Sequence, residues 1–219
     1  MKYKLNMKNG FTLAEVLITL VIIGVIAAMT IPTLMNNTNN QELVSKLKKT
    51  YSTLAQATNK IIADEGNPQA DIGGWATSTN VISEMYKKYL INTKDCTNGM
   101  GNCLATTYKA LDGSVADSLQ TAGNNIVLPD GAVMAFWVST YSDSCSTTRY
   151  GTGNVCQEMV VDINGGKKPN MVGKDVFAFD LTPNGLVPAG CASNNCQTGT
   201  GTTGWNCTCR ALRQGSVKY

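Results

Sequence analysis

Residues Phe11–Ile31 read FTLAEVLITLVIIGVIAAMTI, an apolar run of 21 residues with one charge, Glu15. Coiled as an α-helix it measures ~31 Å, which matches a bilayer hydrocarbon core of about 30 Å. The ten residues before it, MKYKLNMKNG, carry Lys2, Lys4 and Lys8 and no acid. Basic flanks stay on the cytoplasmic side, so this orientation exports whatever follows the run. An ordinary secretory signal peptide is the simplest alternative. Against it, no A-x-A-like cleavage site follows, and the run is long for the apolar region of such a signal. Glu15 is the odd residue: a carboxylate inside a span costs a few kcal/mol unless it is paired or neutralised. Its natural partner is a positive group at the same depth. The chain offers none nearby unless cleavage ahead of Phe11 frees an amine.

Gly10-Phe11-Thr12-Leu13-Ala14-Glu15, the apolar run behind it and Pro32 at the twenty-second place after Gly10 together resemble a known signal. It is the class III signal of type IV pilins and type II secretion pseudopilins. The resemblance implies that a prepilin peptidase cuts between Gly10 and Phe11 on the cytoplasmic side and N-methylates Phe11. It also implies that Glu15, the fifth residue after the cut, pairs with the Phe11 amine of a neighbouring subunit during assembly.

Beyond the span, Leu43, Leu47, Tyr51, Leu54, Thr58 and Ile61 recur every three or four residues, while Lys46, Lys48, Lys49 and Gln56 fall on other faces. This is an amphipathic helical stripe. It predicts one long helix from about Phe11 to Ala63, stopping near Gly66 and Pro68, with its second half lying against an exported domain. Pro32 lacks an N–H and frees the Ala28 carbonyl, and Gly24 lowers helix preference, so a kink is expected between them. The alternative is a plain boundary between membrane and exported helix. The organisation that follows is a leader at residues 1–10, an assembly helix at 11–32, its amphipathic continuation at 33–65 and a head domain at 66–219.

In the head, Asn80–Ile91 places Val81, Met85, Tyr86 and Tyr89 in helical register. Asn125–Leu128 and Ala132–Val138 flank Pro129-Asp130-Gly131 as a hairpin, and Glu158–Ile163, Val176–Leu181 and Leu186–Pro188 read as further strands. The expected fold class is α+β, a long helix packed on a small antiparallel sheet with disulfide-rich C-terminal loops.

Eight cysteines fall in four local groups, and an exported domain meets oxidising conditions, which favours four disulfides. Short loops favour Cys96–Cys103 and Cys145–Cys156. Cys191, Cys196, Cys207 and Cys209 are expected to pair across the C-terminal loops, with a zinc site built from these four as the rival. Asp162, Asn164 and Asp175 could offer oxygen to calcium, although the spacing does not fit an EF-hand loop. An Asn-Gly turn beside a Pro-Asn turn explains the same residues without a metal.

The absence of histidine removes Ser-His-Asp triads, Cys-His pairs and His-ligated zinc. Asp112, Asp117, Asp130 and Asp143 lie scattered in turn-rich sequence and form no catalytic set, so no enzyme is expected. The net charge of +3 comes entirely from the three leader lysines, and the remaining 15 basic and 15 acidic residues cancel. No nucleic-acid partner is therefore expected. The sequence reads as a structural subunit of a filament, anchored in the inner membrane with its head exported. Its expected partners are copies of itself and related pilins, the prepilin peptidase, the assembly platform and membrane lipid. The competing reading is a membrane-tethered binding domain or enzyme. Whether the filament is a pilus, a secretion pseudopilus or a DNA-uptake fibre stays open.

Overall fold

The computed structural model describes residues 10–219 except 92, 97–101, 117–121, 138–141, 193–195 and 197–202. The chain divides into two compact units, residues 1–39 and residues 40–219. A single helix, α1 (Leu13–Glu65), runs through both and continues past Gly24 and Pro32 without interruption. It ends as the sequence anticipates: Gly66 takes a left-handed φ of +85°, and its N–H donates to the Ile62 carbonyl at 3.0 Å. The Trp75 indole N–H then pins the exit by donating to the Gly66 carbonyl.

Within the second unit, α1 buries Val44, Leu47, Thr50, Leu54, Ala57, Thr58 and Ile61, while Leu43 and Tyr51 are half-buried. Leu47, Leu54 and Ile61 are fully excluded from solvent, which contributes about 1.5–3 kcal/mol each. Against this stripe pack α2 (Thr79–Tyr89) and one face of a six-stranded antiparallel sheet. Ser78 caps α2, its side chain accepting from the Val81 N–H, and this start sets the buried face. Ile82, Ser83 and Tyr86 turn inward, and Val81, 38% exposed, lies at the rim.

The sheet strands are β1 (Lys94–Cys96), β2 (Ala122–Val127), β3 (Val133–Trp137), β6 (Gln157–Asp162), β7 (Val176–Thr182) and β8 (Gly185–Pro188), paired in that order. A separate hairpin, β4 (Thr147–Arg149) with β5 (Thr152–Val155), interrupts the meander between β3 and β6. Every residue of β6 and β7 is buried, and alternation divides them between two cores. Met159, Val161, Phe177, Phe179 and Leu181 face the helices, with the Tyr51 and Phe179 rings stacked at 5.7 Å. Val160, Val176 and Ala178 face a second core with Leu104, Tyr108, Val172, Ala189 and Trp205. The architecture is α+β, with α1 and α2 packed on one face of the sheet and a second core on the other.

Four disulfides brace the loops around the sheet: Cys96–Cys103, Cys145–Cys156, Cys191–Cys209 and Cys196–Cys207. No cysteine is free, so the four C-terminal cysteines form nested bridges and not a zinc site. They clamp α3 (Thr208–Gln214), a short helix that the sequence reading left as loop. Gly190 shows how closely this cover is packed. Its φ is +83°, and a Cβ there would lie 1.9 Å from the Asn206 carbonyl oxygen.

Candidate processing and assembly site

Gly10 is exposed and outside α1, and among the described residues no atom lies within 4 Å of a Cβ added there. Thr12 directly precedes the helix and Glu15 is its third residue. The two form a reciprocal cap: the Thr12 hydroxyl accepts from the Glu15 N–H at 3.3 Å. In return Glu15 Oε2 accepts from the Thr12 N–H and hydroxyl, each at 2.8 Å. This is a capping box, which satisfies helix-terminal donors that have no partner within the helix. The sequence offers no positive group near Glu15; the structure adds two uncharged donors, both from Thr12. The signal was present as Thr12-x-x-Glu15 directly ahead of an apolar run. Both bonds converge on one carboxylate oxygen, Oε2.

Residues Leu13–Pro32 are long and apolar enough to cross a membrane, and no part of this stretch is buried within the protein. Phe11, Leu13 and the large apolar side chains behind them as far as Met35 are exposed. Such a surface needs lipid or other apolar helices as its environment.

In the head, the structure does bring Asp162, Asn164 and Asp175 together. Asp162 Oδ1 accepts from the N–H groups of Asn164 and Gly165, at 3.1 and 2.9 Å. Its Oδ2 accepts from the Gly166 N–H at 2.9 Å and the Tyr108 hydroxyl at 2.6 Å. Asp175 accepts from the N–H groups of Met171 and Asn170 and from the Asn164 side-chain amide, at 2.6, 2.7 and 3.3 Å. Burial pushes its carboxyl up to about 7. Every carboxylate oxygen thus accepts a hydrogen bond, and the two acids fold the β6–β7 loop as an internal template for its backbone donors; among the described residues no group of three or more His, Cys, Asp or Glu comes together to hold a metal ion.

Of the scattered acids, Asp112 and Asp130 accept from backbone N–H groups two residues on, as turn residues do. Asp117 lies outside the described residues. A second acidic pair went unnoticed in the sequence because it sits inside apolar strands. Glu158 on β6 and Asp180 on β7 are direct cross-strand neighbours, both fully buried. Arg149 of β4 reaches over them, its Nη2 2.6 Å from Glu158 and its Nε 3.9 Å from Asp180. One guanidinium faces two carboxylates, and burial pushes Glu158 up to about 8 and Asp180 to about 6. With the Cys145–Cys156 bridge, this cluster fastens the β4–β5 hairpin to the sheet.

An exposed apolar helix with a capped acid near its start, carried by a disulfide-bonded α+β head, defines a pilin-like protein. Residues 5–31 match the prokaryotic N-terminal methylation motif, so the N-terminus is a class III prepilin signal. The motif and the apolar helix behind it fit a protein anchored in the inner membrane. Residues 33–218 match a family of unknown function, DUF6613, and the chain belongs to that family. No curated protein and no solved structure matches the chain.

Proposed function

We propose that the chain is a structural subunit of a type IV pilus or a type II secretion pseudopilus-like filament. The prepilin peptidase cuts after Gly10 and methylates Phe11. The mature subunit waits in the inner membrane with its head exported, and the assembly platform extracts it into a filament of identical or related stems. The observation that carries this reading is the methylation motif coinciding with an acid already oriented by its own helix start. In the precursor, Thr12 keeps Glu15 satisfied inside the membrane. After cleavage, the Phe11 amine of a neighbour supplies the positive charge, and Glu15 receives it.

Transfer of the stem from lipid to a bundle of like stems leaves it in an apolar environment, so packing and this pairing have to select the register. One repeated head-to-tail contact generates an open helix, as a fibre requires. Between Gly24 and Pro32 the missing proline N–H leaves the Ala28 carbonyl without its helical donor, and this is the stretch that extends on assembly. On this reading the chain is no enzyme, since its buried acids are engaged in holding loops and strands together.

Mass spectrometry of the native protein tests processing: a methylated Phe11 start is expected, and an intact Met1 would show a tethered domain instead. Gly10→Glu should stay uncut. Glu15→Ala should insert normally yet yield few fibres, and fibres at wild-type abundance would refute the pairing.

A further inference from the structure

The polar residues of the apolar stem are not scattered around it. Residues 12–32 contain four polar side chains, Thr12, Glu15, Thr19 and Thr30. At about 100° per residue, Glu15, Thr19 and Thr30 fall within about 60° of one another around α1. Thr12 joins them, because its N–H and its hydroxyl both donate to Glu15. Ile22 and Ile26 continue the same side between the two threonines, while Leu17, Val21, Gly24 and Ala28 lie opposite. The polar groups of the span thus share one narrow face, and no part of the span is buried within the protein.

A span surrounded by lipid on every side gains nothing from this alignment. Polar side chains inside a membrane turn to where partners are, which means other helices or water. Thr19 donates its hydroxyl to the Val16 carbonyl at 2.9 Å, and Thr30 donates to the Ile26 carbonyl at 3.0 Å. With those hydrogens given to the backbone, the two hydroxyls meet an approaching helix as acceptors. They are also small, which lets a second backbone come close. The same face carries the Glu15 carboxylate, so its character is that of acceptors with one negative charge. Such a face calls for a positive donor inside the hydrocarbon. Lipid tails supply none, whereas a second copy brings one, the Phe11 amine that cleavage frees.

We propose that the face bearing Glu15, Thr19, Ile22, Ile26 and Thr30 is the surface on which the stem of a second copy of this chain packs. This rests on the filament reading and adds to it the side of the stem that makes the close contact. A single ion pair at Glu15 holds only the start of the stem and leaves the rest free to turn about its axis. Thr19 and Thr30 lie about 6 and 22 Å further along α1. Contacts at three aligned points fix that rotation over most of the span. The opposite side, with Leu17 and Val21, is uniformly apolar and accepts lipid or a looser neighbour equally well.

The test uses exchanges that preserve composition, made in the full chain in its native cells, with fibre yield read per processed subunit in the membrane. Leu17→Thr with Thr19→Leu keeps the hydropathy of the span but carries the hydroxyl to the opposite side. It should lower fibre yield about fivefold or more, and Thr30→Val should lower it in the same direction. The control exchange, Leu17→Val with Val21→Leu, rearranges the opposite side and should leave the yield unchanged. A methylated Phe11 in each variant shows that insertion and processing are intact. Fibres at wild-type yield from both threonine variants, or an equal loss from the control exchange, would overturn the assigned face and leave the filament reading standing. An intact Met1 with no fibres from the wild-type chain would overturn both.

Discussion

Thr58 on α1 and Tyr86 on α2 are both fully buried, with their hydroxyls 2.5 Å apart. Thr58 already donates its only hydroxyl hydrogen to the Leu54 carbonyl at 2.8 Å. The shared bond therefore runs from Tyr86 to Thr58, and the two residues are not equivalent. Tyr86→Phe removes a donor and leaves Thr58 with its hydrogen placed, at a cost of about 1 kcal/mol. Thr58→Val keeps the shape but strands a phenolic O–H in the core, at a cost of about 2–3 kcal/mol. In a head of this size each kcal/mol moves the melting temperature by about 2–4 °C. Thr58→Val should thus lower it by about 5–10 °C and Tyr86→Phe by about 2–4 °C. The double variant removes both polar partners and should melt no lower than Tyr86→Phe alone, a coupling of about 2 kcal/mol. Near-ultraviolet circular dichroism of the full chain in detergent, disulfides intact, reads these melts. Additive single effects, or a costlier Tyr86→Phe, would refute the assigned donor direction.

Three further outcomes follow from the buried acids and the bridges. Asp162→Asn replaces a carboxylate that accepts four bonds with an amide that can accept on only one atom. It should lower stability by about 2 kcal/mol in a denaturant titration, whereas calcium or chelator should leave the wild-type curve in place. Glu158, Asp175 and Asp180 all have carboxyls raised above their ordinary values, to about 8, 7 and 6. The unfolded chain therefore releases these protons first, so their stabilisation is complete below about pH 4 and is lost as pH climbs through about 6 to 8. Melts from pH 5 to pH 9 should show this decline, with Glu158→Gln flattening its upper part. Serine at both Cys191 and Cys209 opens a bridge between residues 18 apart and should cost about 2–5 kcal/mol, loosening α3 while leaving prepilin processing intact.

Much of the fold was legible because it rests on periodicity. The stem stripe through Leu47, Leu54 and Ile61 is set by the 3.6-residue turn, and the helix stop at Gly66 by a conformation that glycine adopts freely. The runs that became β3, β6, β7 and β8 announced themselves as short apolar stretches between turns. The register of Val81, Met85, Tyr86 and Tyr89 announced α2, and the Ser78 cap fixes its start. Helix α3 could not be read from TCRALRQ, since seven residues form no stable helix alone. Two nested disulfides and the Thr208 hydroxyl, which accepts from the Ala178 N–H, hold it in place.

The processing site belongs wholly to the sequence: Gly10, Phe11, Thr12 and Glu15 are neighbours in the chain, so their chemistry needs no fold to assemble it. Even the missed capping box is a spacing of three residues. The head differs. Asp162 and Asp175, Glu158 and Asp180, and Arg210 and Tyr219 meet only because strands pair and bridges close, across separations that local rules do not span. Burial then decides what each charge is worth. It withdraws Glu158, Asp162, Asp175 and Asp180 into the interior, a placement that composition cannot express.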